Sequence, residues 1–150
     1  PGLRVLLADF GLAAARSARG EEAKPHAGFQ PGTAHWMAPE LISEGRRGPW
    51  TDVYALGVIL WEIWALQTPY HGMQIQDIAR GVVRAGLRPS LPISVSPAET
   101  QVPVFAEMMR AAWDADFVRR PSAQAIADGL RASESSNSGL GSKTHKLQQS

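Results

Sequence analysis

Residues 32–40 read Gly-Thr-Ala-His-Trp-Met-Ala-Pro-Glu, and a second motif, Asp9-Phe10-Gly11, stands well upstream of them, with Glu40 31 positions after Asp9. The upstream motif ends a short apolar run, residues 3–8, which predicts a half-buried strand. Its glycine lets the backbone turn sharply, and an aspartate at a strand end is a hard oxygen ligand suited to Mg²⁺. A tripeptide alone is a weak signal, so its interpretation depends on the motifs downstream.

Four helices are predicted downstream of these motifs. The first is capped by Thr51, runs to about Ala65 and is apolar on all sides, which is typical of a helix buried in a larger body. The others are predicted from apolar spacing and end signals, namely residues 75–83 with a stop at Gly86, residues 104–112, and a short helix capped by Ser122. Residues 12–35 and 87–103 lack a sustained period and are expected to be irregular.

Composition narrows the class of protein. The 150 residues carry a formal net charge of +1, are 44% hydrophobic and contain no cysteine. These values indicate a globular chain, argue against a dedicated nucleic-acid binder, and exclude disulfide frameworks and zinc–thiolate sites. No apolar run is long enough to span a membrane and no signal peptide is visible. We expect an intracellular, cytoplasmic protein, and the alternative is a protein with a membrane anchor upstream of these residues. The histidines show no metal-ligand spacing.

In this order along the chain, the motifs resemble the C-terminal lobe of eukaryotic protein kinases. Asp9-Phe10-Gly11 and Ala38-Pro39-Glu40 are similar to the two ends of the kinase activation segment, and the apolar helix to the central helix of that lobe. Further matches complete the series: Thr68-Pro69-Tyr70, Gly86-Leu87-Arg88-Pro89, Trp113 and Arg120-Pro121-Ser122. Gly32-Thr33 followed by Trp36-Met37 resembles the tyrosine-kinase-like group, whose members mostly phosphorylate serine and threonine.

The resemblance implies a mainly α fold, the helical C-lobe of a kinase with a short N-terminal strand. Residues 1–132 would form part of a kinase domain, and residues 133–150, poor in apolar side chains, are expected to be a disordered tail. The family's glycine-rich loop, ATP-binding lysine and His-Arg-Asp catalytic loop do not occur before Asp9. The chain begins with Pro1, so we expect a fragment of a longer protein.

The resemblance also implies site residues for ATP and magnesium. Asp9 would hold the Mg²⁺ that bridges the ATP phosphates, Phe10 would pack to set active or inactive states, and Gly11 would act as a pivot. Ser17, which lies beside Arg16 in the same segment, is a possible phosphorylation site.

Other residues match positions that face the protein substrate or stabilise the lobe. Thr33 would lie beneath the substrate hydroxyl near the catalytic aspartate, and Trp36 and Met37 would line the surface that receives the substrate peptide. Three more have structural roles in the family: Glu40 would pair with Arg120, and Asp52 would accept hydrogen bonds from the catalytic-loop backbone.

The expected function is transfer of the ATP γ-phosphoryl group to serine or threonine of a protein, by a parent enzyme that contains this chain. Residues 1–150 alone would be inactive without the catalytic base and the ATP lysine. Two alternatives are a pseudokinase that keeps the fold without catalysis, and a chain that serves only as a scaffold or binding module.

Overall fold

The computed structural model describes residues 6, 8, 34–91 and 104–138. Within these ranges there are five α-helices, two 3-10 turns and no strand, which confirms the mainly helical fold class. The 3-10 turns are Ala34–Trp36 and Phe117–Arg119, and the helices are α1 (Pro39–Glu44), α2 (Pro49–Ala65), α3 (Ile75–Arg84), α4 (Val104–Ala112) and α5 (Ala123–Ser138). The strand predicted over residues 3–8 lies outside the described residues except for Leu6 and Ala8, and it stays a prediction.

The helix predicted from a Thr51 cap begins three residues earlier than expected. Gly48 is the extended N-cap residue, and Pro49 occupies the first turn, where its fixed φ and missing N–H carry no penalty. Thr51 is instead the third helical residue. Its hydroxyl accepts from the Gly48 N–H at 3.3 Å and donates to the Gly48 carbonyl at 2.6 Å. The threonine therefore still stabilises this helix end, from inside the helix.

The other three predicted helices are present. α3 ends at Arg84, after which Gly86 adopts a left-handed conformation with φ +63° and the Leu87 N–H returns to the Gly81 carbonyl at 3.0 Å. Ser122 caps α5 by accepting from the Ala125 N–H at 3.1 Å. α5 continues to Ser138 and so takes in the first six residues of the predicted tail. Extending a formed helix costs much less than starting one.

Helix α1 was missed by the sequence analysis because six residues are too few for a periodic apolar pattern. Its ends nevertheless carry local signals. Ala38 is extended at φ −67° and ψ 149°, as the residue before a proline prefers, and Pro39 starts the helix. Gly45, at φ +68°, ends the helix in the left-handed conformation, and its N–H donates to the Leu41 carbonyl at 3.2 Å.

The core is organised around α2. α4 packs along α2, α5 packs on α4, and the first 3-10 turn contacts both α2 and α3. Fully buried side chains from α2, α3 and α4 meet there, among them Tyr54, Val58, Ile78 and Met109.

Although α2 is apolar on all sides, it is not buried on all sides. Ile59 and Ile63, one turn apart on the helix, are 41% and 62% exposed, and Leu66 at its end is 88% exposed. None of the described helices is both long and apolar enough to cross a bilayer.

The crossing of α2 and α4 depends on the absence of a side chain at Gly57. A Cβ at this position would lie 2.7 Å from the Ala112 Cβ, well inside van der Waals contact. A Cβ at Gly81 in α3 would also be close, 2.8 Å from Leu87, but there it would meet the end of a flexible side chain. Space at Gly57 can therefore be made only by moving a helix.

We expect Gly57→Ala to destabilise the chain relative to Gly81→Ala. Both changes gain similar helix propensity, about 1 kcal/mol, whereas overpacking of the helix crossing costs about 1–3 kcal/mol. The measurement is thermal unfolding followed by circular dichroism at 222 nm. Equal melting midpoints for the two variants would contradict the tight α2–α4 crossing.

Candidate functional site

A buried ion pair joins the end of the Gly32–Glu40 motif to the C-terminal part of the chain. The Arg120 guanidinium donates from Nη1 to Glu40 Oε1 at 2.6 Å and from Nη2 to Glu40 Oε2 at 2.9 Å. The two residues are 80 positions apart, and their side chains are 0% and 6% exposed. Two parallel charge-assisted bonds fix both distance and orientation. The structure thus brings together the pair that the family resemblance implied.

The same guanidinium also binds the start of α2 and the loop after α4. Its Nη1 donates to the Trp50 carbonyl at 3.0 Å, and its Nε to the Asp114 carbonyl at 2.9 Å. Arg120 therefore links the start of α2, the loop after α4 and Glu40 at one point. A lysine could not replace it, because a single ammonium group cannot form this planar fork.

Between Ala34 and Ala38 the chain forms a short, partly exposed turn, the outward turn. The two alanines are fully buried at its ends, while His35, Trp36 and Met37 are only half-buried. The Met37 N–H donates to the Ala34 carbonyl at 3.3 Å, which closes the turn. Larger side chains at the two alanines would have to push the turn away from the core. The predicted peptide-receiving residues Trp36 and Met37 thus lie together on this turn.

Trp36 is held by a residue of α2. Its indole Nε1 donates to Glu62 Oε2 at 3.0 Å, and its ring lies 5.3 Å from that of His35 at a tilt of 49°. Glu62 is half-buried. A half-buried carboxylate in this apolar part of α2 needs such a partner, because an unpaired buried charge is costly. The Trp36–Glu62 bond fixes the orientation of the indole on the turn.

Tyr54 is fully buried, with two guanidinium groups against its ring. The Cζ atoms of Arg88 and Arg120 are each 5.0 Å from the ring centroid. Arg88 in turn donates from Nε to the Trp113 carbonyl at 2.8 Å. The negative face of an aromatic ring attracts cations, and the attraction strengthens where water is excluded. Tyr54 therefore connects the ion pair to the loop that follows α3.

The two tyrosines of the chain titrate at unusually high pH. Burial raises the pKa of the Tyr54 phenol, and the opposing influence of Arg88 and Arg120 is smaller. Burial also raises the pKa of Tyr70, and the neighbouring Tyr54 phenol raises it further. The Tyr70 hydroxyl donates to the Leu87 carbonyl at 3.5 Å, and the Tyr54 and Tyr70 phenols interact with each other in the core. Both groups are neutral in the folded protein around pH 7.

The remaining predicted site residues are placed less fully. Asp52 stands on an exposed position in the first turn of α2, and partial burial of its carboxyl raises its pKa. No hydrogen bond to this carboxyl is present among the described residues. Five predicted residues lie outside the described residues, namely Asp9, Phe10, Gly11, Ser17 and Thr33. Within the described ranges no three potential metal ligands come together.

A family model for protein tyrosine and serine/threonine kinases matches residues 2–130. The chain belongs to the protein kinase family. The match covers most of the chain and confirms the family expected from the motifs. The bidentate pair, the outward turn and α2 all lie within the matched residues.

Relatives of this kinase chain carry serine/threonine kinase names. The serine/threonine-protein kinase STY46 of Arabidopsis thaliana is 33% identical over 127 residues, which are 85% of this chain and 20% of that protein. The serine/threonine/tyrosine-protein kinase HT1 of the same plant is 34% identical over 119 residues, 79% of this chain and 28% of that protein. The serine/threonine-protein kinase-transforming protein mos of Moloney murine sarcoma virus is 32% identical over 128 residues, 84% of this chain and 33% of that protein.

The kinase chain therefore spans between a fifth and a third of the length of these three relatives.

Sequence reasoning missed two features of its site. Glu62 carried a usable signal, since it is the one charged residue between Asp52 and His71 and so needed a partner. The contact between Arg88 and the Tyr54 ring carried no sequence signal, because Arg88 lies in the loop after α3 and Tyr54 lies in α2.

Arg120→Ala should destabilise this kinase chain severely, by about 3–5 kcal/mol, because the Glu40 carboxylate would stay buried without its partner. Arg131→Ala is the matched control. Its 2.9 Å pair with Asp128 is 70% and 60% exposed, and such a pair contributes about 0–1 kcal/mol. Urea unfolding of both variants measures the difference. Similar losses for the two arginines would contradict the structural importance of the buried pair.

Stability should fall as the pH rises above about 10, the ordinary tyrosine pKa. The folded-state pKa values of Tyr54 and Tyr70 are raised, so the unfolded chain releases its phenolic protons first and is favoured at high pH. The stability that the two neutral phenols contribute is fully present below the unfolded-state pKa. It is lost as the pH rises from that value through the folded-state pKa. Replacing both tyrosines by phenylalanine should shift the alkaline unfolding midpoint upward.

The measurement is tryptophan fluorescence during alkaline unfolding. Tyr54→Phe alone should lower the stability at pH 7 by no more than about 1.5 kcal/mol, the net contribution of one neutral hydrogen bond, because the lost hydroxyl interacts only with Tyr70. An alkaline midpoint that is the same in the wild-type chain and the double variant would refute this source of the pH dependence.

Proposed function

We propose that the protein transfers the γ-phosphoryl group of ATP to serine or threonine hydroxyls of protein substrates. The observation that carries this proposal is the outward turn of Trp36 and Met37, fixed at both ends and anchored by the Glu40–Arg120 pair. Positioning of the reacting groups supplies a large share of the rate in phosphoryl transfer. A fixed turn next to Thr33, which is predicted to lie beneath the substrate hydroxyl, would hold the acceptor peptide in position.

The serine/threonine specificity is supported by Gly32-Thr33 and by the names of the relatives, one of which also includes tyrosine. Asp9 would hold the magnesium ion, and Mg²⁺–ATP would supply the phosphoryl group and neutralise its developing charge. The chain's own described residues orient the acceptor peptide. Localisation in the cytoplasm and phosphorylation of Ser17 stay predictions.

Residues 1–150 are proposed to be insufficient for transfer. The sequence supports this, since no strand lysine for the ATP phosphates and no His-Arg-Asp base precede Asp9. The described part holds the peptide surface and the lobe core. Catalysis therefore requires groups that the 150 residues do not provide.

The test compares the full-length gene product with residues 1–150, using radiolabelled ATP, Mg²⁺ and an arrayed set of serine-, threonine- and tyrosine-containing peptides. We expect transfer to serine and threonine peptides by the full-length protein and none by residues 1–150. Asp9→Asn in the full-length protein should reduce the rate on the order of a hundredfold or more, since it removes transition-state charge stabilisation.

Three results would overturn parts of this proposal. ATP binding by the full-length protein without any transfer would favour a pseudokinase or scaffold. Labelling of tyrosine peptides alone would refute the serine/threonine specificity. Transfer by residues 1–150 alone would show that the chain provides a base and a phosphate-binding group that its motifs do not reveal.

A further inference from the structure

A cleft of about 350 Å³ lies between the start of α2 and the second 3-10 turn. Most of its lining is apolar, from the side chains of Pro49, Trp50, Val53, Phe117 and Val118. Its volume is within the range of small ligand sites, about 300–1,000 Å³. The five side chains have no part in the outward turn, so the cleft is a second candidate surface of the chain.

Trp50 forms a fixed aromatic wall of this cleft. Its ring stacks on that of Phe117, with the ring centroids 5.3 Å apart and the planes at 29°. A Cβ at Gly48 would lie 2.5 Å from the Trp50 ring, so the indole also packs directly against the backbone there. These two contacts restrict the rotation of the indole. A wall that is already ordered loses little conformational freedom when a ligand binds to it.

The indole of Trp50 carries a donor without an acceptor. Its Nε1 is buried, and none of the described residues accepts from it. A buried donor of this kind costs free energy that a suitable acceptor would recover. Water is a poor partner in this place, because a bound water needs several polar neighbours and the walls of the cleft are largely apolar.

The charges around the cleft favour a neutral acceptor. Arg120 also lines the cleft, but its charge is balanced by Glu40. Arg46, which lies over the Phe117 ring, is paired with Glu44 at 3.7 Å. A ligand carboxylate would therefore bring an uncompensated charge, which is costly to bury, whereas an amide carbonyl brings none. An apolar side chain beside an amide carbonyl is the chemistry of a peptide.

We propose that this cleft is a docking site for a peptide segment of a partner protein. The segment inserts one bulky apolar side chain against Trp50 and Phe117, and one of its main-chain carbonyls accepts from the Trp50 indole. Because Nε1 does not contact water in the unbound structure, the cleft edge must move slightly to admit the carbonyl. The Val118 side chain, 77% exposed at this edge, can turn aside and is then covered by the bound segment.

The experiment titrates the full-length protein, labelled with ¹⁵N at its tryptophan indoles, with three small probes. N-acetylphenylalaninamide has an apolar side chain and amide carbonyls, N-acetylglycinamide has the carbonyls alone, and toluene has the apolar group alone. The Trp50 indole N–H resonance, assigned by its loss in Trp50→Phe, reports hydrogen bonding. Ligand-observed NMR gives the dissociation constant of each probe.

Three variants separate the cleft from the rest of the surface. Val118→Asp places a charge at the cleft edge, and Trp50→Phe removes the donor but keeps an aromatic ring. Leu66→Asp is the matched control, because Leu66 is 88% exposed at the end of α2 and does not line the cleft.

We expect N-acetylphenylalaninamide to bind with a dissociation constant on the order of millimolar, as its size allows, and to shift the Trp50 indole proton downfield. N-acetylglycinamide should bind at least roughly tenfold more weakly, because it buries no aromatic side chain. Toluene should bind without the downfield shift. Val118→Asp and Trp50→Phe should each weaken the binding of N-acetylphenylalaninamide about tenfold, and Leu66→Asp should leave it unchanged.

The inference is overturned if the wild-type protein shows no saturable binding of N-acetylphenylalaninamide, or binds N-acetylglycinamide equally well. It is also overturned if Val118→Asp binds as tightly as Leu66→Asp. A Trp50 resonance that stays in place on binding, with its hydrogen exchanging readily with solvent, would assign the indole to water and refute the carbonyl contact. If Trp50→Phe does not fold, the comparison of the two exposed positions, Val118 and Leu66, decides.

A capped Ala-Ala-Phe-Ala-Ala peptide distinguishes a docking site from a site for small molecules. It should compete with N-acetylphenylalaninamide and bind at least as tightly. Exclusion of this peptide from a cleft that binds the capped residue would refute peptide docking. None of these measurements requires ATP or phosphoryl transfer, so this inference and the proposed function can fail independently.

Discussion

A guanidinium group without access to water needs acceptors for its N–H groups, and Arg120 finds them in three separate parts of the chain. Glu40 supplies two oxygens, and the carbonyls of Trp50 and Asp114 supply two more. Any rearrangement that removes one of these acceptors leaves a buried donor unsatisfied. The positions of α1, of the start of α2 and of the loop after α4 are therefore fixed with respect to one another.

The candidate substrate surface depends indirectly on the contacts of Arg120. Glu40 lies four residues after Trp36, so the ion pair determines where the outward turn ends, while buried Ala34 determines where it begins. Side-chain orientation is then a separate matter, set by Glu62 from α2. The kinase lobe thus fixes the path of this candidate substrate segment through one ion pair and the direction of a half-buried indole through another carboxylate.

Sequence reasoning succeeded where a signal is local or belongs to a family motif. The apolar spacing of residues 75–83 predicted α3, and the serine at position 122 predicted the start of α5. The Glu40–Arg120 pair was predicted only through the family resemblance, because nothing in the spacing of two charges 80 positions apart indicates contact. α1 was too short for periodicity, and the contact between Arg88 and Tyr54 depends on how two elements pack.

The contact of the Tyr54 ring with both Arg88 and Arg120 also bears on how this lobe opens. Arg88 binds the Trp113 carbonyl and Arg120 binds the next carbonyl, that of Asp114, so neighbouring peptide groups are tied to one aromatic ring through two cations. If either the loop after α3 or the loop after α4 moves outward, it exposes a guanidinium group that the other loop helps to hold in place. Residues 85–91 and 113–116 should therefore exchange their amide hydrogens with solvent as one cooperative unit, slowly and together, although neither stretch is helical.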